Sequence, residues 1–94
     1  MKKRTRIDIY AAILNIVKRH SEGIRLTRIS YGAGIPTDRA RKFINQLLSA
    51  GLMAPSSENA AYYTATKHGR KFLEAYAVLK GYLKEMDENL STMA

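Results

Sequence analysis

Apolar residues recur at the three- and four-residue spacing of amphipathic helices in several segments of the chain. Residues 7–20 predict a first helix whose broad apolar face belongs to a core. Residues 27–33 predict a short second helix, and residues 38–50 predict a third helix with its apolar positions on one side. The spacing after residue 66 predicts a long last helix that continues to about residue 90. The chain is therefore expected to be mainly helical.

The segments between these helices carry turn formers and candidate helix caps. Thr27, Thr37 and Thr66 are predicted N-caps of the second, third and last helices, because a threonine hydroxyl accepts a hydrogen bond from a free backbone N–H of the first turn. Gly34 and Pro36 predict a tight turn before the third helix, since glycine adopts unusual backbone angles and proline cannot continue a helix. The second and third helices are thus expected to form a helix-turn-helix.

Short strands are predicted at residues 24–26, 52–54 and 61–65. Residues 55–59 are rich in turn formers and predict a hairpin between the last two strands. Two helices joined by a tight turn and followed by a two-stranded hairpin form the winged helix-turn-helix arrangement. The predicted fold class is therefore α+β, mainly α with a small β-hairpin, and ends in a long C-terminal helix.

Charge is distributed unevenly along the chain. The 94 residues include 16 Lys and Arg against 8 Asp and Glu, so the net charge is +8. Residues 1–71 hold 14 of the basic and 4 of the acidic residues, whereas residues 72–94 hold 2 and 4. A charge this large favours polyanionic partners, nucleic acid first and an anionic membrane surface second. We therefore predict a basic nucleic-acid-binding domain with an N-terminal arm (residues 1–71) and a C-terminal dimerisation helix (residues 72–94).

The sequence offers little for catalysis or metal binding. It has no cysteine, which excludes disulfides, thiolate metal sites and cysteine nucleophiles. His20 and His68 are the only histidines, and they fall in different predicted elements. No Gly-rich phosphate loop or Ser/His/Asp set is present. We expect no enzyme activity, no catalytic residue, no metal, no cofactor and no small-molecule ligand.

Basic residues precede the apolar stretch 7–17 and give it a superficial likeness to a signal peptide. Asp8 and Asn15 interrupt the stretch, and no small-residue cleavage site follows. No segment approaches the length of apolar sequence that a membrane span needs. We therefore expect neither a leader peptide nor a membrane partner.

The polar side of the third helix carries residue types that can recognise double-stranded DNA in the major groove. Arg and Lys donate to guanine, and Asn and Gln pair with adenine. In helix-turn-helix docking the N-terminal half of this helix meets the bases. The predicted contacts on this helix are Thr37, Asp38, Arg39, Arg41, Lys42, Asn45 and Gln46. A merely solvated polar face is the competing interpretation, and Asp38 is suited to the helix N-terminus rather than to a phosphate.

Further DNA contacts are predicted from the starts of two other helices and from the N-terminal arm. They are Arg25, Thr27, Arg28, Lys67, Arg70, Lys2, Lys3 and Arg4. The arm has an equally good interpretation as a disordered, solubilising end. Wings that contact DNA usually carry Arg or Lys at the tip, whereas this hairpin carries Glu58, so we do not expect strong contact there.

Apolar residues of the last helix follow the alternating four- and three-residue spacing of a coiled coil. A helix of this length outruns a body of about 70 residues at 1.5 Å per residue, so its far side chains need a second copy of the chain. Antiparallel pairing brings Lys80 near the partner's Asp87 and Leu83 against the partner's Met86. The predicted interface of an antiparallel coiled-coil homodimer is Tyr76, Leu79, Leu83, Met86 and Leu90.

Three sequence segments together resemble a family of small archaeal winged-helix proteins that includes the chromatin-associated "10a" proteins of Sulfolobus. They are residues 29–33 (ISYGA), 47–52 (LLSAGL) and 63–69 (YTATKHG). The resemblance covers about residues 6–90. It implies an antiparallel coiled-coil dimer with two winged-helix heads on double-stranded DNA, in a cytoplasmic and nucleoid-associated setting. The wing tip without basic residues departs from the pattern of DNA-contacting wings.

Two alternatives stay open at this point. A winged helix can also serve as a protein-interaction module without direct DNA binding, which would account for Asp38 and Glu58. Within DNA binding, the sequence fits both a site-specific transcriptional regulator and a general chromatin protein.

Overall fold

The described part of the chain, residues 4–93, forms four helices and three short strands in this computed structural model, with side chains described as far as Asp87. The elements are α1 (Arg6–Lys18), β1 (Ile24–Arg25), α2 (Leu26–Ala33), α3 (Thr37–Ser49), β2 (Met53–Pro55), β3 (Tyr62–Ala65) and α4 (Lys67–Met93). The predicted order of elements and the mainly helical fold with a small hairpin are confirmed.

The three strands form one antiparallel sheet in the order β1-β3-β2. In the hairpin, Met53 lies opposite Ala65. On the other side of β3, Ile24 lies opposite Tyr63 and Arg25 lies opposite Tyr62. The short strand between α1 and α2 therefore fixes the root of the hairpin to the helical part of the domain, a pairing that the sequence analysis did not assign.

The core draws apolar side chains from every helix of the domain and from the sheet. The largest fully buried side chains are Ile13, Leu14, Val17, Ile29, Ile44 and Leu47. Full burial of one such side chain contributes about 1.5–3 kcal/mol relative to its exposure. On α3 the buried residues Ala40, Ile44 and Leu47 lie on one side, so the opposite side of this helix faces solvent.

The starts of α2 and α3 differ from the predicted caps. Arg25, not Thr27, is the N-cap of α2, because pairing with β3 keeps the backbone extended up to Arg25 and the helix begins directly after it. Pro36, not Thr37, is the N-cap of α3, and its φ of −61° and ψ of 150° place Thr37 as the first helical residue. Neither helix has a side-chain cap hydrogen bond.

The turn between α2 and α3 is held by backbone geometry and one serine. Gly34 has a φ of +69°, a left-handed conformation that glycine adopts without steric cost, so the predicted tight turn is confirmed here. The Ser30 hydroxyl is buried and donates a hydrogen bond of 2.5 Å to the Ile35 carbonyl. It also lies 3.5 Å from the Thr37 hydroxyl. These contacts fix the direction in which α3 leaves the turn.

Thr66 is the cap of α4, as predicted, and it also ties this helix to the end of α3. Its hydroxyl accepts a hydrogen bond of 3.1 Å from the Gly69 backbone N–H and donates one of 2.6 Å to the Gly51 carbonyl. Gly69 packs so closely that a Cβ at this position would collide with the Leu52 carbonyl oxygen. By contrast, a Cβ at Gly81 would meet no atom within 4 Å.

These two glycines of one helix should respond oppositely to alanine. Gly69→Ala should lower the free energy of unfolding by about 1–3 kcal/mol, because the added methyl group must displace backbone. Gly81→Ala should raise it by about 0.5–1 kcal/mol, because alanine favours the helix and nothing obstructs it. Urea unfolding monitored by circular dichroism measures both changes. Equal effects at the two positions would contradict the close packing of Gly69.

Asp8 joins the start of α1 to α4. Its carboxylate accepts hydrogen bonds from the Thr5 backbone N–H at 2.9 Å and from the Tyr76 hydroxyl at 2.5 Å, and the Thr5 hydroxyl accepts from the Asp8 N–H at 3.1 Å. Lys80 Nζ lies 3.7 Å from the same carboxylate. The hydrogen bonds from Tyr76 and Thr5 hold the pKa of Asp8 well below its usual range, and the bond to Asp8 raises the pKa of Tyr76 to about 12.

Tyr76→Phe should lower the melting temperature between about pH 5 and pH 9, because it removes a hydrogen bond to an ionised carboxylate. The lowered pKa of Asp8 means that this stabilisation is complete above the ordinary pKa of 3.8 and is lost as pH falls below it. The raised pKa of Tyr76 means that it is also lost as pH rises from 10.0 towards 12.

Thermal melts of wild type, Tyr76→Phe and Tyr82→Phe over this pH range test the effect. Tyr82 is the control, because its side chain is exposed on the same helix. A Tyr76→Phe deficit that stays constant from pH 2 to pH 7 would show that Asp8 is not its cause.

Candidate nucleic-acid interface

All the predicted contact residues of α3 are exposed. They are Thr37, Asp38, Arg39, Arg41, Lys42, Asn45 and Gln46. Burial of Ala40, Ile44 and Leu47 on the opposite side of the helix produces this exposure, since residues three and four apart share a helix face. The amphipathic pattern of α3 therefore correctly identified its solvent-facing residues.

The exposed face of α3 is positively charged. Asp38, in the first turn, is the acidic residue of α3, against Arg39, Arg41 and Lys42. A carboxylate in the first turn interacts favourably with the positive end of the helix dipole. The basic side chains follow it and leave the middle of the face free of acidic residues. This charge pattern suits an anionic partner lying along the N-terminal half of α3.

The side chains of this face differ in how firmly they are held. Gln46 accepts a hydrogen bond of 2.5 Å from the Tyr10 hydroxyl of α1, which fixes its amide group. The guanidinium of Arg39 lies 5.8 Å from the centroid of the Phe43 ring. Within residues 4–87, Lys42 and Asn45 make no side-chain hydrogen bond, ion pair or ring contact. These two are therefore the side chains on α3 most available to a ligand.

The other predicted contacts lie at the starts of α2 and α4 and at the N-terminus. Arg25, Thr27, Arg28, Lys67 and Arg70 are exposed. The guanidinium of Arg25 lies 5.7 Å from the centroid of the Tyr62 ring on β3, which directs it along the sheet. The basic residues among them lie at the starts of α2 and α4, and Arg70 lines a depression with Asn15 and Lys18 of α1.

Arg4 has a structural partner. Its Nη1 donates a hydrogen bond of 2.8 Å to the Ala33 carbonyl at the end of α2, where a positive charge also interacts favourably with the helix dipole. Arg4 thus satisfies a helix terminus next to the turn. Lys2 and Lys3, the other predicted residues of the arm, lie outside the described residues.

The predicted coiled-coil face of α4 is largely exposed. Leu79, Leu83 and Met86 are 46%, 43% and 57% exposed. Tyr76 is only partly buried, and its hydroxyl bonds to Asp8 as described above. The side chain of Leu90 lies outside the described residues. A row of exposed apolar side chains on one helix is thus present in the single chain.

Sequence reasoning missed two further exposed apolar residues on this helix. Val78 is 58% exposed and Tyr82 is 63% exposed. Because they are four residues apart, they lie on one face of the helix, beside the predicted stripe. The sequence analysis considered only the alternating four- and three-residue spacing of a coiled coil, which leaves these two positions out. Ile7 of α1 is also exposed and lines a groove with Leu79 and Leu83, so the apolar surface continues from α4 onto α1.

The sequence profile of winged helix-turn-helix proteins matches residues 3–84 of the chain. The chain belongs to the winged helix-turn-helix family. In this family's terms, α2 and α3 are the helix-turn-helix and β2–β3 is the wing. The helix α3 takes the position in the fold that is called the recognition helix.

Solved structures of other winged-helix proteins resemble this chain. Sso10a-2, a DNA-binding protein from Sulfolobus solfataricus, has a TM-score of 0.70 at 28% sequence identity, covering 97% of this chain and 97% of that one. This similarity confirms the resemblance to the 10a proteins. No curated protein is significantly similar to the sequence.

Two bacterial structures share the fold at lower identity. The multiple antibiotic-resistance repressor MarR from Listeria monocytogenes has a TM-score of 0.68 at 16% identity, over 92% of this chain and 59% of that one. A mutant MepR of S. aureus bound to an oligodeoxyribonucleotide has a TM-score of 0.63 at 15% identity, over 93% and 64%. This winged-helix chain therefore spans less than two thirds of the MarR and MepR chains.

The polar side chains at the tip of the wing bond within the protein. Ser56 Oγ accepts from the Glu58 backbone N–H at 3.3 Å and donates to the Glu22 carbonyl at 3.4 Å. Asn59 Oδ1 accepts from the Ala61 N–H at 3.0 Å. The tip thus offers an exposed carboxylate, Glu58, and no exposed cation.

In the described residues of this winged helix, no group of three or more His, Asp or Glu side chains is placed to hold a metal ion. No helix in the same part of the chain is long and apolar enough to cross a membrane.

Proposed function

We propose that this winged-helix protein binds double-stranded DNA as a homodimer and acts as a chromatin-associated protein or a transcriptional regulator in the cytoplasm, without enzyme activity. The observation that carries the proposal is the exposed basic face of the recognition helix α3, where Lys42 and Asn45 have no side-chain partner within residues 4–87. A helix with such a face fits the major groove of B-DNA.

The proposed contacts divide by chemistry. Arg41, Lys42 and Asn45 reach base edges, because they lie in the N-terminal and middle turns of the recognition helix and are of the types that pair with guanine or adenine. Gln46, held by Tyr10, supports this face from its edge. The remaining proposed contacts bind phosphates or position the helix: Lys2, Lys3, Arg4, Arg25, Thr27, Arg28, Thr37, Asp38, Arg39, Lys67 and Arg70.

Two similar proteins support a DNA partner. Sso10a-2 is a DNA-binding protein, and one MepR structure holds an oligodeoxyribonucleotide. The net charge of +8 also supports a DNA partner, since positive charge raises affinity for any polyanion. We assign residues 1–71 to the DNA-binding head and residues 72–94 to the dimerisation stalk.

The exposed apolar stripe of α4 supports a homodimer. These side chains are about half exposed in the single chain, so burying the rest of each one stabilises association by about 1 kcal/mol before ordering costs. We propose an antiparallel coiled coil in which Leu83 faces the partner's Met86, with Tyr76, Leu79 and Leu90 completing the interface. Two heads joined in this way bind one DNA molecule with a higher effective concentration than separate heads.

A salt titration tests the proposed partner. Binding of a random-sequence duplex should weaken as salt rises, with a log–log slope near −0.9 for each phosphate contacted. An electrophoretic shift series at several salt concentrations measures the slope. Absence of salt-sensitive duplex binding would overturn the proposal and favour the alternative function, a protein-interaction module that uses the same face of α3.

Substitution of the recognition helix tests how the DNA is read. Lys42→Ala and Asn45→Ala should each lower affinity for a duplex selected from a random pool by about tenfold, and lower affinity for unselected duplex much less, because a base contact carries the preference. Lys84→Ala on α4 removes the same charge away from α3 and should change neither affinity. Equal losses on both duplexes would mean that these residues contact only the DNA backbone.

Leu83→Glu tests the dimer. A carboxylate in the middle of the apolar stripe should convert the dimer to a monomer and weaken duplex binding, because burying an unpaired charge is unfavourable and bivalent binding is lost. Sedimentation equilibrium measures the mass. Lys84→Glu places a carboxylate in the same turn but outside the stripe and should leave the mass unchanged. A Leu83→Glu protein that still sediments as a dimer would refute the coiled-coil assignment.

A further inference from the structure

Tyr31 is the most exposed large hydrophobic side chain in the described part of the chain. It lies on α2 and is 91% exposed. Within residues 4–87 it makes no hydrogen bond and no ring contact. The core therefore gains nothing from this aromatic ring, and neither the proposed α3 interface nor the α4 stripe uses it.

Tyr31 shares a surface depression with basic and polar side chains. An open depression on this side of the domain is lined by Tyr31, Thr27 and Arg28 of α2, by Arg19 and His20 from the end of α1, and by the apolar side chains of Ile16 and Ile24. None of its lining residues is acidic. The depression thus combines one exposed aromatic ring with two arginine side chains, Arg19 and Arg28, and a small apolar area.

Glu22, the nearest acidic residue along the chain, does not line the depression. It lies in the turn that follows His20, and its backbone carbonyl accepts from Ser56. The local charge of the depression is therefore positive. An anionic ligand is electrostatically favoured there, and an acidic side chain of the protein does not compete for the guanidinium groups.

The depression is separate from the α3 face. Ser30 and Ala33 are buried on one side of α2, and Ser30 bonds to the turn that leads into α3. Arg28 and Tyr31 are exposed on the other side, where α2 meets the end of α1. At about 100° per residue, Tyr31 lies far around the helix from Ala33. No residue of α3 lines the depression, but Thr27 and Arg28 belong both to it and to the proposed phosphate contacts of a duplex, so the two ligands use adjoining surfaces.

We propose that this depression binds an unpaired nucleic-acid strand, with one base stacked on the Tyr31 ring and the adjoining phosphates on Arg28 and Arg19. Exposed aromatic rings combined with basic side chains are the means by which proteins hold single strands. A base inside a duplex is already stacked on both faces, whereas an unpaired base has a free face for the ring. A single strand can therefore bind both the aromatic ring, through a base, and the arginine side chains, through its phosphates.

This inference goes beyond duplex binding by α3 and does not depend on it. A strand opened beside a bound duplex, or a separate single-stranded molecule, presents the same chemistry of bases and phosphates. A protein partner is the other class of ligand that favours Tyr with Arg. The absence of acidic lining residues favours the polyanion over a protein surface of mixed charge.

The test compares single-stranded and duplex ligands and three variants of the full-length protein. A fluorescent oligothymidine strand and a random-sequence duplex of the same length are titrated in parallel by fluorescence anisotropy. Tyr31→Ala should weaken binding of the single strand by about tenfold, within the range measured for loss of one stacked base. Tyr31→Phe should bind it within about twofold of wild type, because phenylalanine keeps the stacking ring. Lys42→Ala should weaken binding of a duplex selected from a random pool and leave binding of the single strand unchanged.

Matched controls separate stacking from other effects. Tyr82→Ala removes the exposed tyrosine of α4 and should leave single-strand affinity unchanged. The melting temperature of Tyr31→Ala should equal that of wild type, since the removed ring contacts no core residue.

Three results would overturn the proposal: equal single-strand binding by Tyr31→Ala and wild type, an equal loss with Tyr31→Phe, or equal losses on strand and duplex with Tyr31→Ala. Failure of wild type to bind duplex while the Tyr31 effect on single strand is present would overturn duplex binding alone.

Discussion

The packing of α1 at the centre of the domain is the constraint on which the other elements depend. Ile13, Leu14 and Val17 of this helix are fully buried, and α1 contacts every other helix and the central strand β3. Because α3 packs against α1 and buries Ile44 and Leu47 in the core, its rotation about its own axis is fixed. Core packing therefore determines which side of α3 faces solvent. The polar residues of α3 lie at the positions that are not buried in the core.

Polar interactions then secure the edges of this packing. The hydrogen bond from Tyr10 to Gln46 joins α1 to the exposed side of α3, and the bond from Tyr76 to Asp8 joins α4 to the start of α1. In each bond the tyrosine ring packs against the core, and its hydroxyl bonds to a side chain nearer the surface. Tyr10, for example, packs its ring edge-on against Phe43, with 5.5 Å between centroids. The polar surface is consequently ordered by the same helices that build the core.

Sequence periodicity was sufficient for the helices and for the solvent-facing side of α3, because burial in a small domain follows the 3.6-residue period closely. It was sufficient for the Thr66 cap, which depends on neighbouring residues alone. It failed at the starts of α2 and α3, where pairing of Arg25 with β3 and the fixed angles of Pro36 decide the boundary. These are constraints from distant parts of the chain or from backbone geometry, and local propensity does not contain them.

Local sequence patterns also do not reveal contacts between residues that are far apart in the chain. Asp8 and Tyr76 are 68 residues apart in the chain, and nothing in their local pattern pairs them. Tyr31 falls on a short helix, where one exposed aromatic residue does not disturb the apolar period. Its exposure becomes evident only when Ser30 and Ala33 are seen to bury the other side of α2.

The junction between β3 and α4 contains no linker. Thr66 follows the last residue of β3 and bonds to Gly51, while Gly69 rests against Leu52, directly beyond the end of α3. A tilt of α4 therefore cannot be absorbed by a flexible loop and has to move the backbone on which α3 ends. The direction of α4 and the position of the end of α3 are therefore coupled through Thr66 and Gly69, although the two helices are separated by the whole hairpin.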